Sequence, residues 1–429
     1  MNTLTARSSR PSLRAVLMIK VTVGAMCILF AIAELARAQT RSVEPGLIAH
    51  EWGTFTSIAG GDGQALQWLP LTPSGESPGF IHRDLLPIAG LPGFVYHAQV
   101  GLKFNLEGTI RMETPVLYFY SHRDLTLSVR VAFAKGLITE WYPKASQVTP
   151  TETARSDFLY KKQGDGIIAW DAVTLEPAKG GDLPREATDS RYYAARNTAS
   201  TPLRVCTDVG EEHEKFLFYR GVSAAPVPIS ARFSEDGKLL IKSTSQEPIP
   251  NIILFERRGG RLGFRVIDTS QTETPFETPG LTSSIDALAF ELEEMLVARG
   301  LYRDEAHAML QTWGDSWFEE GSRLIYILPV SYVDAILPLS INPIPAQTLR
   351  VLVGRVELIS PATQNEVKSA LVSRDRETVG SYCRFLWPIL SIIEAKDPEF
   401  KDQVYDFLGE SPCYSSTGRL VKAKASLQK

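Results

Sequence analysis

The spacing of apolar residues changes once along this chain, and that change constrains the fold more than any other feature. From about residue 44 to 268 the period is mostly two. Leu125, Leu127, Val129, Val131 and Phe133 alternate with Thr126, Ser128, Arg130 and Ala132, the pattern of a strand buried on one face. An aromatic-rich run at 116–120 precedes it, and the polar residues 121–124 between them predict a hairpin. Residues 167–175 and 216–219 read as further strands. Two more hairpins are expected, 229–233 with 238–242 and 251–255 with 262–267. Asp236-Gly237 and Gly259-Gly260 sit at their tips, where glycine supplies the positive φ of a tight turn. Short strands punctuated this way predict a β-sandwich-like domain.

Past residue 283 the period becomes 3.6. Ile285, Leu288, Leu292, Met295 and Leu296 share a helical face, with Ser283 or Ser284 as cap and Gly300 as stop. A second helix over 304–320 carries Ala306, Met309, Leu310, Trp313 and Trp317 at spacings of three and four. Runs 324–328 and 349–353 are strand-like, and Ser360-Pro361 opens another helix. Residues 378–395 are helical, kinked or split by Pro388, and Asp397-Pro398 caps a last helix over 400–408. Between the two regimes, 269–283 holds two Thr-Pro pairs and few apolar residues. The expected fold is therefore α+β. A β-sandwich-like domain spans 44–268, a linker 269–283, and a helix-rich α+β domain 284–429. Polar stretches at 144–156 and 177–190 are exposed loops or subdomain boundaries within the first.

The first 38 residues read as an address. Arg7, Arg10, Arg14 and Lys20 form a basic start, 21–33 is mainly apolar, and Ala36-Arg37-Ala38 is the small-x-small pattern of a signal peptidase site. The apolar run is shorter than the roughly 20 residues needed to span a bilayer. The best later candidate, 324–339, is broken by Pro329, Asp334 and Pro338. The expectation is a signal peptide and a periplasmic or secreted protein with no integral membrane segment after cleavage. The whole chain of 429 residues carries 45 Lys+Arg against 49 Asp+Glu, a formal charge of -4. That balance argues against a nucleic-acid partner, which needs a basic surface. Beyond the leader, Cys206, Cys383 and Cys413 form no CxxC pair, so a zinc knuckle or thioredoxin-type site is not supported. Cys383 and Cys413 are the easiest disulfide pair, although spacing does not determine connectivity.

Several strings stand out within this frame. His50 to Ser57 reads HEWGTFTS, Arg111 to Pro115 reads RMETP, and Gly136 to Pro143 reads GLITEWYP. Trp313 to Gly321 reads WGDSWFEEG, and Val353-Gly354-Arg355 ends a strand. Together they resemble an uncharacterised family of secreted bacterial proteins. The resemblance would cover most of the chain after the leader. It implies a bacterial envelope or secreted location, but no activity, cofactor or site residue.

Candidate chemistry must then come from the residues themselves. His50-Glu51 lacks the second histidine of a zincin helix, since Thr54 occupies that position. A long-range site remains, with His82, His97, His122, Asp62, Arg111 and Glu113 on nearby segments. Its catalytic candidates are His50, Glu51 and Glu113, acting on a metal or a water. The plainer reading is a structural network, with an Arg111–Glu113 or Arg111–Glu51 ion pair. Asp315 and Glu319, four apart, share a face if the helix continues. With Trp313 and Trp317 they would line a sugar cleft; otherwise they are a solvated face over a tryptophan core. Gly60-Gly61-Asp62-Gly63 is better read as a turn than as a phosphate or calcium loop. Ser316 lacks any downstream histidine to act as its base, which removes the SGNH and α/β-hydrolase arrangements. No complete catalytic motif is present, and no motif names a cofactor. The function expected is a binding or interaction protein for a glycan, peptide or protein partner. The alternative is an acid/base or metal-assisted hydrolase of an extracytoplasmic polymer.

Overall fold

The computed structural model describes residues 42–68, 77–83, 108–150 and 164–400, apart from single or paired positions at 180–181, 188, 209, 235 and 383. The leader, His97, Cys383, Cys413 and the helix expected over 401–408 lie outside the described residues.

Strands in the first part are β1 (Val43–Ala59), β2 (His82–Arg83), β3 (Ile110–Tyr120), β4 (Leu125–Phe133), β5 (Gly136–Tyr142), β6 (Gln147–Thr149) and β7 (Gly166–Leu175). A short 3-10 helix (Arg191–Arg196) leads to β8 (Leu203–Thr207), β9 (Gly210–Glu214), β10 (Phe216–Ser223), β11 (Ile229–Phe233) and β12 (Leu239–Ser243). The hairpin β13 (Ile252–Arg258) and β14 (Arg261–Ile267), then β15 (Thr274–Phe276), precede helices α1 (Ile285–Ala298) and α2 (Arg303–Trp317). Then come β16 (Gly321–Ile327), α3 (Val330–Ile336), β17 (Leu339–Asn342), β18 (Ile344–Leu358), α4 (Pro361–Ser373), α5 (Arg376–Ser381) and α6 (Leu386–Lys396). The α+β class expected from the sequence is what the chain shows.

Its organising element is a nine-stranded sheet in the order β14-β13-β16-β18-β1-β3-β10-β5-β2. All neighbours are antiparallel except the central pair β1 and β18, which run parallel with His50 beside Leu349 and Thr56 beside Arg355. This arrangement corrects the expected division at 269–283. β16 and β18, from beyond that stretch, sit between β13 and β1 from before it in one sheet, and the stretch itself contributes β15 to the three-stranded sheet. The change of period marks where helices begin to cover the sheet, not where one fold unit stops.

Each face of the sheet has its own cover. Leu47, Ala49, Leu117, Phe119, Leu217, Leu254, Leu324 and Leu352 point to one side. They pack with Leu127, Val129, Trp170 and Val205 of a second sheet, β17-β4-β7-β8-β9 with β6 beside β7, and with Ile229 and Leu239 of a three-stranded sheet, β11-β12-β15. On the other side Trp52, Tyr118, Phe218, Phe255, Ile325 and Val353 pack under the helical stripes Leu288, Leu292, Leu296 and Ala306, Met309, Trp313, Trp317. Helices α4, α5 and α6 close over Ile58 and Trp68 at the end of β1.

The hairpins β11–β12 and β13–β14 form as expected. The hairpin expected between 116–120 and 125–133 does not. β3 lies in the large sheet and β4 in the second, so the polar residues 121–124 carry the chain from one layer to the other. Periodicity identifies a strand but not its partner. A bulge in the β1–β3 ladder falls between Trp52 and Thr54. There a Cβ on Gly53 would stand 3.0 Å from the Cα of Pro115. Glycine thus permits the close approach, and the bulge accommodates a proline that has no N–H for the ladder.

Candidate functional site

Strand alternation decides the fate of the first candidate pair. His50 and Glu51 are neighbours on β1, so their side chains leave opposite faces of the sheet. His50 enters the helical side. Its Nδ1 donates to Glu305 of α2 at 2.9 Å, and both side chains are fully buried. Glu305 also accepts from the Tyr120 hydroxyl at 2.7 Å and from the Tyr302 backbone N–H at 2.8 Å, capping α2. The rings of Tyr120 and Tyr302 pack against the imidazole. Burial first, then the Glu305 charge, pushes the Tyr120 phenol well above its usual range. Glu51 enters the other layer, where it accepts from Arg350 Nε at 2.6 Å and from the Tyr219 hydroxyl. Asp334 of α3 takes Arg350 Nη1 at 2.7 Å. His50, Glu51 and Glu113 therefore do not form one catalytic group.

The same alternation gathers a different set on the helical face. β3 carries Arg111-Met112-Glu113 and β18 carries Arg355-Val356-Glu357, each an arginine and a glutamate two apart and so on one face. Between these strands lies β1, with Thr56 opposite both Arg355 and Arg111, and Thr54 opposite Glu113. The row continues outward in register. Arg323 of β16 faces Glu357, and beyond β3 come Arg220 of β10, Glu140 of β5 and Arg83 of β2. All but Arg83 are buried.

Direct contacts tie the row to the helical layer. Arg355 donates to Glu319 at 2.5 Å, Glu357 at 3.2 Å and the Ser316 hydroxyl at 3.2 Å. Arg384, in the turn between α5 and α6, reaches the same hydroxyl at 2.7 Å and also contacts Glu113, which pairs with Arg111 at 3.4 Å. Arg323 bonds Glu357 at 3.0 Å and the carbonyls of Trp317, Glu319 and Glu320. It thereby satisfies orphan acceptors at the end of α2 and places a cation where the helix dipole favours one. The guanidiniums of Arg355 and Arg384 both lie over the Phe385 ring, at 5.0 and 5.6 Å. Arg220 and Glu140 pair at 3.1 Å.

Buried polar atoms are normally bonded. Within this row the Oγ1 atoms of Thr54 and Thr56 and Nε of Arg355 have no hydrogen-bond partner, and neither do the Nε1 atoms of Trp313 and Trp317 in α2 above. All five can donate. Glu319, Glu357 and Glu140 are bonded to arginines, and Glu113, whose oxygens lack hydrogen bonds, is ion-paired with Arg384 and Arg111. What the arrangement offers is a set of unsatisfied donors between guanidiniums, the chemistry of ligand capture rather than of proton transfer.

The other sequence candidates are scattered. Asp62 accepts from Gln64 N–H at 2.9 Å in an exposed turn closing Ala59 onto Ala65. That turn is nine residues beyond His50 along β1, about 30 Å at strand rise. The turn reading of the glycine-rich segment is the one observed. Helix α2 ends at Trp317, so Asp315 and Glu319 share no face. Asp315 is mostly exposed beside Arg191, at 3.3 Å, while Glu319 turns in to Arg355. Trp313 is core, with the Arg191 guanidinium over its ring. Ser316 accepts from two arginines and has no base. His82 pairs with Glu212 at 2.8 Å, and His122 is exposed. Among the described residues no three His, Cys, Asp or Glu side chains group as a metal site would require. Cys206 is exposed and free.

Arg111 and Glu113 were legible as candidates, and of the two ion pairs expected for Arg111 it is the one with Glu113 that forms, not the one with Glu51. Thr54, Thr56, Glu140 and Arg355 fall in the quoted strings without a role, while Glu357, Arg323, Arg220 and Arg384 were missed. A signal existed: charged residues two apart inside otherwise apolar strands, at 111/113 and again at 355/357.

No family model matches this chain, and no curated protein does. Among solved structures it is similar to the Mu homology domain of Fcho1 from Danio rerio, bound to an Eps15 peptide, at 7% identity and a TM-score of 0.26. That match covers 75% of this chain and 99% of the other.

Proposed function

We propose that this chain is an exported bacterial binding protein, periplasmic or secreted, whose ligand site is the buried charged row on the helical face of the large sheet. One observation carries the reading. Each of the five strings that resemble the secreted family places a side chain in that row: Thr54 and Thr56, Arg111 and Glu113, Glu140, Ser316 and Glu319, and Arg355. Segments so far apart in the chain meet there with donors left unbonded. The partner is an envelope or secreted glycan, peptide or protein. Packing of β4, β7 and β8 on the opposite face of the large sheet supports the sandwich-like reading of the β region as the scaffold. Among the described residues no helix is long and apolar enough to cross a membrane. The hydrolase reading has less support, because His50 is closed in with Glu305, and Asp315 and Glu319 point apart.

Co-sedimentation with purified envelope fractions tests the proposal. Protein beginning at Gln39 should bind one fraction saturably without degrading it. Asp62→Asn, in the exposed turn that follows β1, should leave that binding intact, because its side chain faces the Gln64 N–H outside the row, and Arg355→Gln should weaken it at least tenfold. Turnover of the polymer, or equal binding by both variants, would overturn the proposal.

A further inference from the structure

We infer that the group captured in this row is an oxyanion (a carboxylate, sulfate or phosphate carried by the ligand) seated over Thr56. The inference rests on the proposed binding role and names the chemistry of its ligand. Thr56 occupies the middle strand of three, with Arg355 beside it on β18 and Arg111 beside it on β3. Neighbouring strands lie about 4.8 Å apart, so the two arginines leave the sheet roughly 10 Å apart with the Thr56 hydroxyl midway. An anion with two or three acceptor oxygens would accept from both planar guanidiniums and from the hydroxyl beneath.

The unsatisfied donors agree on sign, while the Glu113 carboxylate, whose oxygens also lack hydrogen bonds, is held by ion pairs with Arg384 and Arg111. Thr54 Oγ1, Thr56 Oγ1 and Arg355 Nε can all donate, and an oxyanion only accepts. A cationic or neutral-donor ligand would leave Arg355 Nε unmatched. The Arg355 guanidinium is already fixed by Glu319, Glu357, Ser316 and the Phe385 ring, so little side-chain freedom is lost on capture. Glu319, about a quarter exposed, forms the solvent-side rim. Displacing its carboxylate from Arg355 would open the position to a competing anion.

The probes are sodium sulfate, sodium phosphate and sodium D-glucuronate. Glucose and sodium chloride at matched ionic strength are controls, and binding is read by titration calorimetry and thermal unfolding. The expected result is saturable 1:1 binding of at least one oxyanion, with no response to glucose or chloride. Which anion binds separates a carboxylate from a sulfate or phosphate source. Affinity should fall tenfold or more in Thr56→Val and in Arg355→Gln. Arg355→Gln also disturbs Glu319 and Glu357, so Thr56→Val is the decisive variant, with its fold verified by circular dichroism. Saturable binding unchanged in Thr56→Val, or no saturable oxyanion binding to wild type, overturns the inference. If envelope binding persists while no oxyanion binds, the binding role stands and only the ligand chemistry fails.

Discussion

Replacing Thr56 with valine is expected to stabilise the ligand-free protein. The Thr56 side chain is fully buried, and its hydroxyl has no partner. Burying an unbonded hydroxyl costs about 1–3 kcal/mol in mutational data. Valine keeps the branched shape and removes the polar atom, so that cost is returned with little change in packing. Thr312 provides the opposite case in the same layer. It is also fully buried, but its Oγ1 donates to the Ala308 carbonyl at 2.7 Å. Thr312→Val should therefore destabilise by about 0.5–1.5 kcal/mol. An unfolding entropy of about 2.1 cal/mol/K per residue gives roughly 0.9 kcal/mol/K for a chain of this length. The two substitutions should then move Tm by about +1 to +3 °C and about −1 °C. Calorimetry without added anions, together with urea midpoints at unchanged m, would measure both. If Thr56→Val loses stability as Thr312→Val does, the Thr56 hydroxyl has a partner in solution and the reasoning from unsatisfied donors fails.

Glu51→Leu should cost roughly 3–5 kcal/mol in urea unfolding, because it leaves the buried Arg350 guanidinium without its Nε partner; a loss under about 1 kcal/mol would mean that Asp334 alone suffices. Burial pushes the Glu212 carboxyl up, but hydrogen bonds from His82 and from the Lys144 backbone N–H outweigh it and hold the group below its usual range. Its contribution to stability is therefore present above a pH of about 4.3 and disappears as pH falls through the lowered value, so Glu212→Gln should flatten the acid limb of a Tm–pH profile. A steeper acid limb in that variant would reverse the sign. Proteolytic nicking within 269–283 should leave both pieces associated on a sizing column, because β13 and β16 pair across the cut; separation into two folded fragments would contradict the shared sheet.

What could be read from the sequence depended on distance along the chain. The stripe of α2 and the alternation of β4 are local, and both appear where the spacing places them. Strand partners are not local. Nothing in 116–133 shows that β3 and β4 part company, or that a glycine at 53 and a proline at 115 meet at a bulge. The candidate site followed the same rule. His50 and Glu51 looked like a pair because they are adjacent, and strand geometry separates neighbours by the thickness of the sheet. Of the two pairs open for Arg111, the one with Glu113 forms because a spacing of two keeps both on one face. The partners that complete the row come from β16, β18 and the α5–α6 turn, more than 200 residues later, and only the closed sheet brings them together.

The parallel pairing of β1 with β18 also sets the order in which this protein can be made. Glu51 and Arg350, adjacent across that seam, are 299 residues apart. The strand destined for the middle of the large sheet is thus among the first to leave the ribosome, yet it waits for one of the last. Until residue 358 has been synthesised, β1 lacks its neighbour along one edge and the large sheet stays in two parts. Closing such a distant contact is slow, and exposed strand edges invite aggregation meanwhile. The sheet stays open at this seam while the 299 residues between the two partners are made. Its refolding from denaturant should therefore depend strongly on protein concentration.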